Sequence, residues 1–211
     1  MADIFELFKK ISKTDSTPKG KPEYIIAGLG NPGAEYERTR HNAGFLAMDR
    51  ISEKCAASVK QAKFKALTAT ATIGGHTVLL IKPQTFMNLS GEAVKEAASF
   101  YQIPAERIIV ISDDICQDMG RMRVRKSGSA GGQKGLASII DHMGTDKIPR
   151  IRIGVGEKPN PEYDLASWVL SKFSEEDMKL ITPRLDDCFE CVKLIMDGKF
   201  DEAMGSFNGK K

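Results

Sequence analysis

Few side chains in this chain have the type and setting to do chemistry. His41, in Thr39-Arg40-His41-Asn42, is one of three histidines. It follows Asn31 through a polar stretch and directly precedes a helical pattern. His76 adjoins the Gly74-Gly75 turn and His142 closes a helical run, so both read as ordinary surface residues. Imidazole titrates near neutrality and is the usual general base there. Asp113 and Asp114 end the strand-like stretch RIIVIS at residues 107–112. A carboxylate in that position either orients a histidine and stabilises its protonated form, or is a solvated strand end. Asn31 and Asn88 contribute amides in two further loops. No G-x-S-x-G elbow is present, and Ser129 sits in a glycine loop without the strand-to-helix elbow pattern. No Cys/His set has zinc spacing. The economical chemistry is a water nucleophile driven by His41 and Asp113, with no metal and no cofactor.

A second set points to phosphate. In Arg121-Met122-Arg123-Val124-Arg125, strict alternation would put three guanidiniums on one face of a strand. At a rise of roughly 3.3 Å per residue, successive arginines stand about 6.6 Å apart. That is of the order of phosphate spacing along a nucleic-acid strand. Arg150 and Arg152 add to it, and arginine suits phosphate. The net charge of +3 is too small to announce such a partner by itself. Phe86 and Met87 stand beside Asn88 in a loop that should be polar. They either dock on the core or form a stacking platform for a base beside a hydrogen-bonding amide.

These residues need strand ends and loops to bring them together. Residues 24–29 are a short apolar run and residues 107–112 (RIIVIS) carry an apolar centre, as expected of strands buried on both faces. Residues 64–72 and 77–82 flank Gly74-Gly75, a hairpin signal. Residues 121–125 and 150–155 alternate. Helical rhythm runs over 42–58, from a Ser90 cap to about 101, over 135–142, and from Ser174 to about 196. Strands alternate with helices while the hairpin forces antiparallel pairing. The expected fold class is therefore α/β, a single domain with a twisted mixed sheet and helices on both faces. Residues 1–22 read as an N-terminal extension, an amphipathic segment (Ile4, Phe5, Leu7, Phe8, Ile11) plus linker, ahead of a catalytic domain at 23–211.

Gly28-Leu29-Gly30-Asn31-Pro32-Gly33 matches the dinucleotide pattern G-x-G-x-x-G only formally. Pro32 removes a backbone donor, residues 34–40 are polar without helical spacing, and the acidic residue at a second strand end is missing. Cys188 and Cys191 form a C-x-x-C, but in an amphipathic helix with no further ligand, which favours packing over metal or redox chemistry. No apolar run approaches the roughly 20 residues that cross a bilayer. The first residues lack a signal-peptide core, so a cytoplasmic protein is expected.

Taken in order, GLGNPGAEYERTRHNAGF, KPQTFMNLSGEAV, SDDICQDMGRMRVRKSGSAGGQKGLASII and PRIRIGVG resemble the bacterial peptidyl-tRNA hydrolase family over roughly residues 24–207. The resemblance implies hydrolysis of the ester between a peptide and the 3′ end of tRNA, by a monomer without cofactor. It makes His41 the general base and Asp113 its support. Asn31 would sense the N-blocked aminoacyl group, and Asn88 would hold substrate and water. Tyr36 and Phe86, with Met87, Gly131 and Lys134, would contact the tRNA end. Arg123, Arg125 and Arg152 would clamp its 5′ phosphate, and residues 156–165 would form a mobile lid. Many members read Gly-Gly-His-Asn-Gly where this chain has Gly131-Gly132-Gln133-Lys134-Gly135. Lys134 thus stands where an amide is usual. A non-catalytic RNA-binding protein on the same fold is the alternative.

Overall fold

A computed structural model describes residues 20–209. The amphipathic segment expected at 1–22 falls almost wholly outside the described residues. Among the described residues, seven strands form one mixed sheet: β1 (Tyr24–Gly28), β2 (Gln61–Lys63), β3 (Ala66–Ile73), β4 (His76–Pro83), β5 (Ile108–Asp114), β6 (Met122–Arg125) and β7 (Arg150–Gly154). Their order across the sheet is β2-β3-β4-β1-β5-β7-β6. The central four run parallel, with Ile26 opposite Leu80 on one side and Ile109 on the other. β2, β3 and β6 are antiparallel. The burial patterns follow from this placement. β1 and β5 are covered on both faces and carry almost unbroken apolar runs, whereas edge strand β6 alternates buried Met122 and Val124 with exposed Arg123 and Arg125.

Among the described residues, six α-helices surround the sheet: α1 (Ala43–Lys54), α2 (Ser90–Tyr101), α3 (Lys134–Met143), α4 (Leu165–Leu170), α5 (Glu175–Met196) and α6 (Phe200–Phe207). One core joins Ile26, Ile109 and Ile151 to Met48 and Ile51 of α1, Val192 of α5 and Phe207 of α6. A second, on the other face, joins Ile25, Ala27 and Val110 to Val94 and Ala97 of α2 and Leu136 and Ile139 of α3. The expected α/β sandwich is thus the observed one. Cys188 and Cys191 are fully buried in the first core. Burial pushes both thiols well above the usual thiol range. They are packing residues, as their helical spacing suggested.

Local differences have local causes. The strand expected at 64–72 begins only at Ala66, because Phe64 and Lys65 turn with positive φ (57° and 53°) and join it to β2 in a second hairpin. Ser90 is not a cap but the first residue of α2, with its hydroxyl donating to Met87 O at 2.8 Å. α1 stops at Lys54, short of residue 58, and α6 lies in a segment for which no helix was expected. Arg121 lies outside β6 in a turn, ion-paired to Asp118 at 3.0 Å. The free edge of β6 is covered by Asn208, whose Oδ1 accepts from Val124 N–H at 2.6 Å and whose Nδ2 donates to Val124 O at 3.3 Å.

One close approach sets up the site. A Cβ on Gly28 would collide with the backbone of Gly44, and one on Gly44 with Ile111 O and Leu29 N. Both glycines let the start of α1 lie directly on the carboxyl ends of β1 and β5. The single 3-10 turn at Arg40–Asn42, immediately before α1, is thereby delivered onto the end of β5.

Candidate active site

A cleft of about 660 Å3 opens at the carboxyl ends of the parallel strands, where the sheet order departs from β1 in opposite directions toward β4 and β5. Crevices of that kind are where open α/β sheets hold ligands. At its floor His41 Nδ1 lies 2.9 Å from Asp113 Oδ2, with the two side chains 13% and 3% exposed. A carboxylate in its ionised form can only accept, so beside it Nδ1 would carry the ring proton and Nε2 would be the nitrogen without one. Asp113 is therefore no solvated strand end. Its other oxygen accepts from Gln133 Nε2 at 3.0 Å.

Asn31 is held with equal definition. Its Oδ1 accepts from Met87 N–H at 2.8 Å, while Asn42 grips its backbone through N–H···Oδ1 (2.9 Å) and Nδ2–H···O (3.0 Å) bonds. Only the amide NH2 of Asn31 remains for a ligand, and it lines the cleft. Asn88 is exposed on the same wall, beside Phe86, which is 57% exposed. Met87 is 4% exposed and forms part of the floor rather than a free stacking surface.

Asp114, next on the strand, is also buried. It accepts from Cys116 N–H (2.9 Å) and Gln117 Nε2 (2.6 Å), and pairs with Arg152 Nε at 3.0 Å. Arg152 thus reaches the cleft wall. The opposite wall is apolar, made by Leu165, Ala166, Val169 and Leu170 of α4. α4 is capped by Asp164 and anchored to the histidine turn. Arg40 stacks 3.8 Å from the Trp168 ring and donates to Ser171 Oγ (2.7 Å), Lys172 O (2.8 Å) and Asp177 Oδ2 (2.8 Å). Burial lowers the pKa of that guanidinium.

This arrangement offers a positioned base, a carboxylate behind it, two amide donors and an apolar wall. Residues 25–211 match the family model for peptidyl-tRNA hydrolase. Among relatives, the peptidyl-tRNA hydrolase of Thermoanaerobacter sp. (strain X514) is 47% identical over 186 residues, covering 88% of this chain and 100% of that protein. That of Clostridium novyi (strain NT) is 47% identical over 188 residues, covering 89% and 99%. The crystal structure of peptidyl-tRNA hydrolase from Acinetobacter baumannii superposes with a TM-score of 0.84 at 34% identity, covering 92% of this chain and 98% of that one. The chain belongs to the peptidyl-tRNA hydrolase family.

In this family member the cleft brings together Asn31, His41, Phe86, Met87, Asn88, Asp113, Gly131, Lys134 and Arg152 from the expected set. Tyr36 ends a 3-10 turn outside the cleft lining, and Arg123 and Arg125 lie outside it on β6. One part of the basic feature needs correction. Register places Arg125 opposite Arg150 and Arg123 opposite Arg152, so all four side chains share a face. Arg150, however, is 2% exposed and spends its guanidinium on the carbonyls of Ile148, Asp146, Gly128 and Ser129. It braces the glycine loop and cannot meet a phosphate. Lys134 is exposed at the first position of α3, with no ion-pair partner among the described residues. Asn42, Gln133 and the Arg40–Trp168 stack were not expected. Asn42 was visible only as the start of a helical run, and Gln133 only within the stretch that departs from Gly-Gly-His-Asn-Gly, and neither signal names a partner.

Proposed function

We propose that His41 removes a proton from water as the water attacks the ester carbonyl joining a peptide to the ribose of a tRNA 3′ end. Asp113 keeps Nδ1 protonated and stabilises the imidazolium that forms. The amides of Asn31 and Asn88 face the reacting group, bind the N-blocked aminoacyl end and donate to the developing oxyanion. Phe86 offers an exposed ring for the terminal base, and Lys134 a cation beside it. Arg123 and Arg125, at the sheet edge beyond the cleft, take backbone phosphate, with Arg152 between them and the floor. Residues 23–211 are the catalytic body. In this reading the working form is a monomer, acting in the cytoplasm where charged tRNA is used. Among the described residues no helix is long and apolar enough to cross a membrane.

The observation that carries this reading is the 2.9 Å His41–Asp113 pair at the floor of a cleft lined by two amides. Hydrolysis of N-acetyl-aminoacyl-tRNA by the wild type and His41→Ala tests it. The variant should lose about 10²–10⁴-fold in kcat while tRNA affinity stays within a few fold. A comparable loss of affinity with turnover retained would make His41 an RNA contact instead.

A further inference from the structure

Gln133 is the last residue of the glycine loop and the cap of α3. It is 6% exposed, and its side chain makes three contacts that determine its orientation. Oε1 accepts from Leu136 N–H at 2.7 Å. A backbone N–H can only donate, so this bond decides which end of the amide is oxygen. Nε2 is thereby turned toward Asp113 Oδ1 at 3.0 Å and Met87 Sδ at 3.2 Å. We propose that Gln133 is a positioning residue of the hydrolysis. Its amide holds the Asp113 carboxylate so that Oδ2 faces His41 Nδ1, which keeps the histidine in the tautomer with a free Nε2.

The chemistry explains why a neutral donor is suited to this position. Asp113 has one donor on each oxygen, and among the described residues its sole ion-pairing partner is His41. A lysine or arginine at residue 133 would also hold the carboxylate, but would neutralise it permanently and weaken its pull on the imidazolium. An amide fixes the geometry and leaves the full negative charge for the step in which His41 becomes positive. The α3 cap has a part in this. The N–H of Leu136 is one of the unpaired donors every helix start carries, and here it serves to aim the side chain that aims Asp113. The role rests on His41 being the base, as proposed above.

Three variants of the full chain separate aiming from capping. Gln133→Ser retains a helix-capping group but is too short to reach Asp113. Gln133→His can still accept from Leu136 through one ring nitrogen and donate to Asp113 through the other. Gln133→Glu keeps the size and the cap but puts an acceptor against Asp113. On N-acetyl-aminoacyl-tRNA, Gln133→Ser should lose about tenfold in kcat, with KM and melting temperature near wild type. Gln133→His should restore kcat to within about threefold. In Gln133→Glu the acid limb of the kcat–pH profile should move to higher pH, because a second carboxylate favours the imidazolium. Overturning results are wild-type kcat in Gln133→Ser, or a loss in Gln133→His as large as in Gln133→Ser. The same holds if kcat falls only in step with melting temperature. If Gln133→Glu does not fold, the serine and histidine variants still decide. His41→Ala run in parallel keeps the two readings apart. An active His41→Ala removes the base assignment, whereas an inactive one beside wild-type Gln133 variants removes only the role of Gln133.

Discussion

Replacing Asp113 with asparagine changes one atom, and the surrounding bonds dictate the result. The new amide has two orientations. With its oxygen toward His41, its NH2 would face the Gln133 NH2 at the 3.0 Å contact now made by Asp113 Oδ1, two donors against each other. Leaving buried donors unpaired costs about 1–3 kcal/mol. With its oxygen toward Gln133, that bond survives and the new NH2 points at His41 Nδ1, 2.9 Å away in the parent structure. Nδ1 must then accept, which moves the ring proton to Nε2 and removes the base. The second orientation satisfies every group, so the protein should take it. Asp113→Asn is therefore expected to stay folded and bind tRNA normally while kcat falls on the order of 10²–10⁴-fold. Steady-state hydrolysis of N-acetyl-aminoacyl-tRNA, with filter binding of deacylated tRNA as control, measures both. A kcat within threefold of wild type would refute the reasoning, because it would mean that the tautomer of His41 does not matter.

The exposed pair on β6 gives a different signature: Arg123→Glu with Arg125→Glu should raise KM for full-length tRNA substrates and flatten the salt slope by roughly 0.7–0.9 per lost phosphate contact. A short 3′-fragment ester should be hydrolysed almost as before, and equal damage to both substrates would place these residues in the fold or the chemistry. Lys134 is exposed at the cleft rim, so Lys134→Asn should raise KM a few fold in low salt and leave the acid limb of the kcat–pH profile in place. A shifted limb would show instead that its ammonium reaches His41. Of the four cysteines, exposed Cys116 should react first with a thiol reagent at pH 8. Cys188 and Cys191, with thiols raised by burial, should react only on unfolding. Native-state labelling of either, read by peptide mass, would contradict their place in the core.

Much of this protein is written locally in its chain. The apolar runs of β1 and β5, the Gly74-Gly75 turn and the Ser174 start of α5 are read from neighbouring residues, because period, cap and turn chemistry act over a few positions. Ser174 has a full capping box with Asp177, so that expectation needed nothing distant. The candidate site residues were legible as types at strand ends. Their partners were not, since each pairing depends on contacts far apart in sequence. Asn31 is aimed by Met87, 56 residues on, and Asp113 is held by His41 and Gln133, 72 and 20 residues away. The arginines make the point most sharply. Arg150 and Arg152 share a strand, a face and an alternating pattern, so sequence alone gives them one role. In the folded molecule the loop through Gly128 and Ser129 closes over Arg150 and supplies it with carbonyls, while Arg152 lies beside Asp114 at the cleft. Alternation determines which face a side chain takes, but what waits on that face is decided by the loops that the tertiary structure brings there.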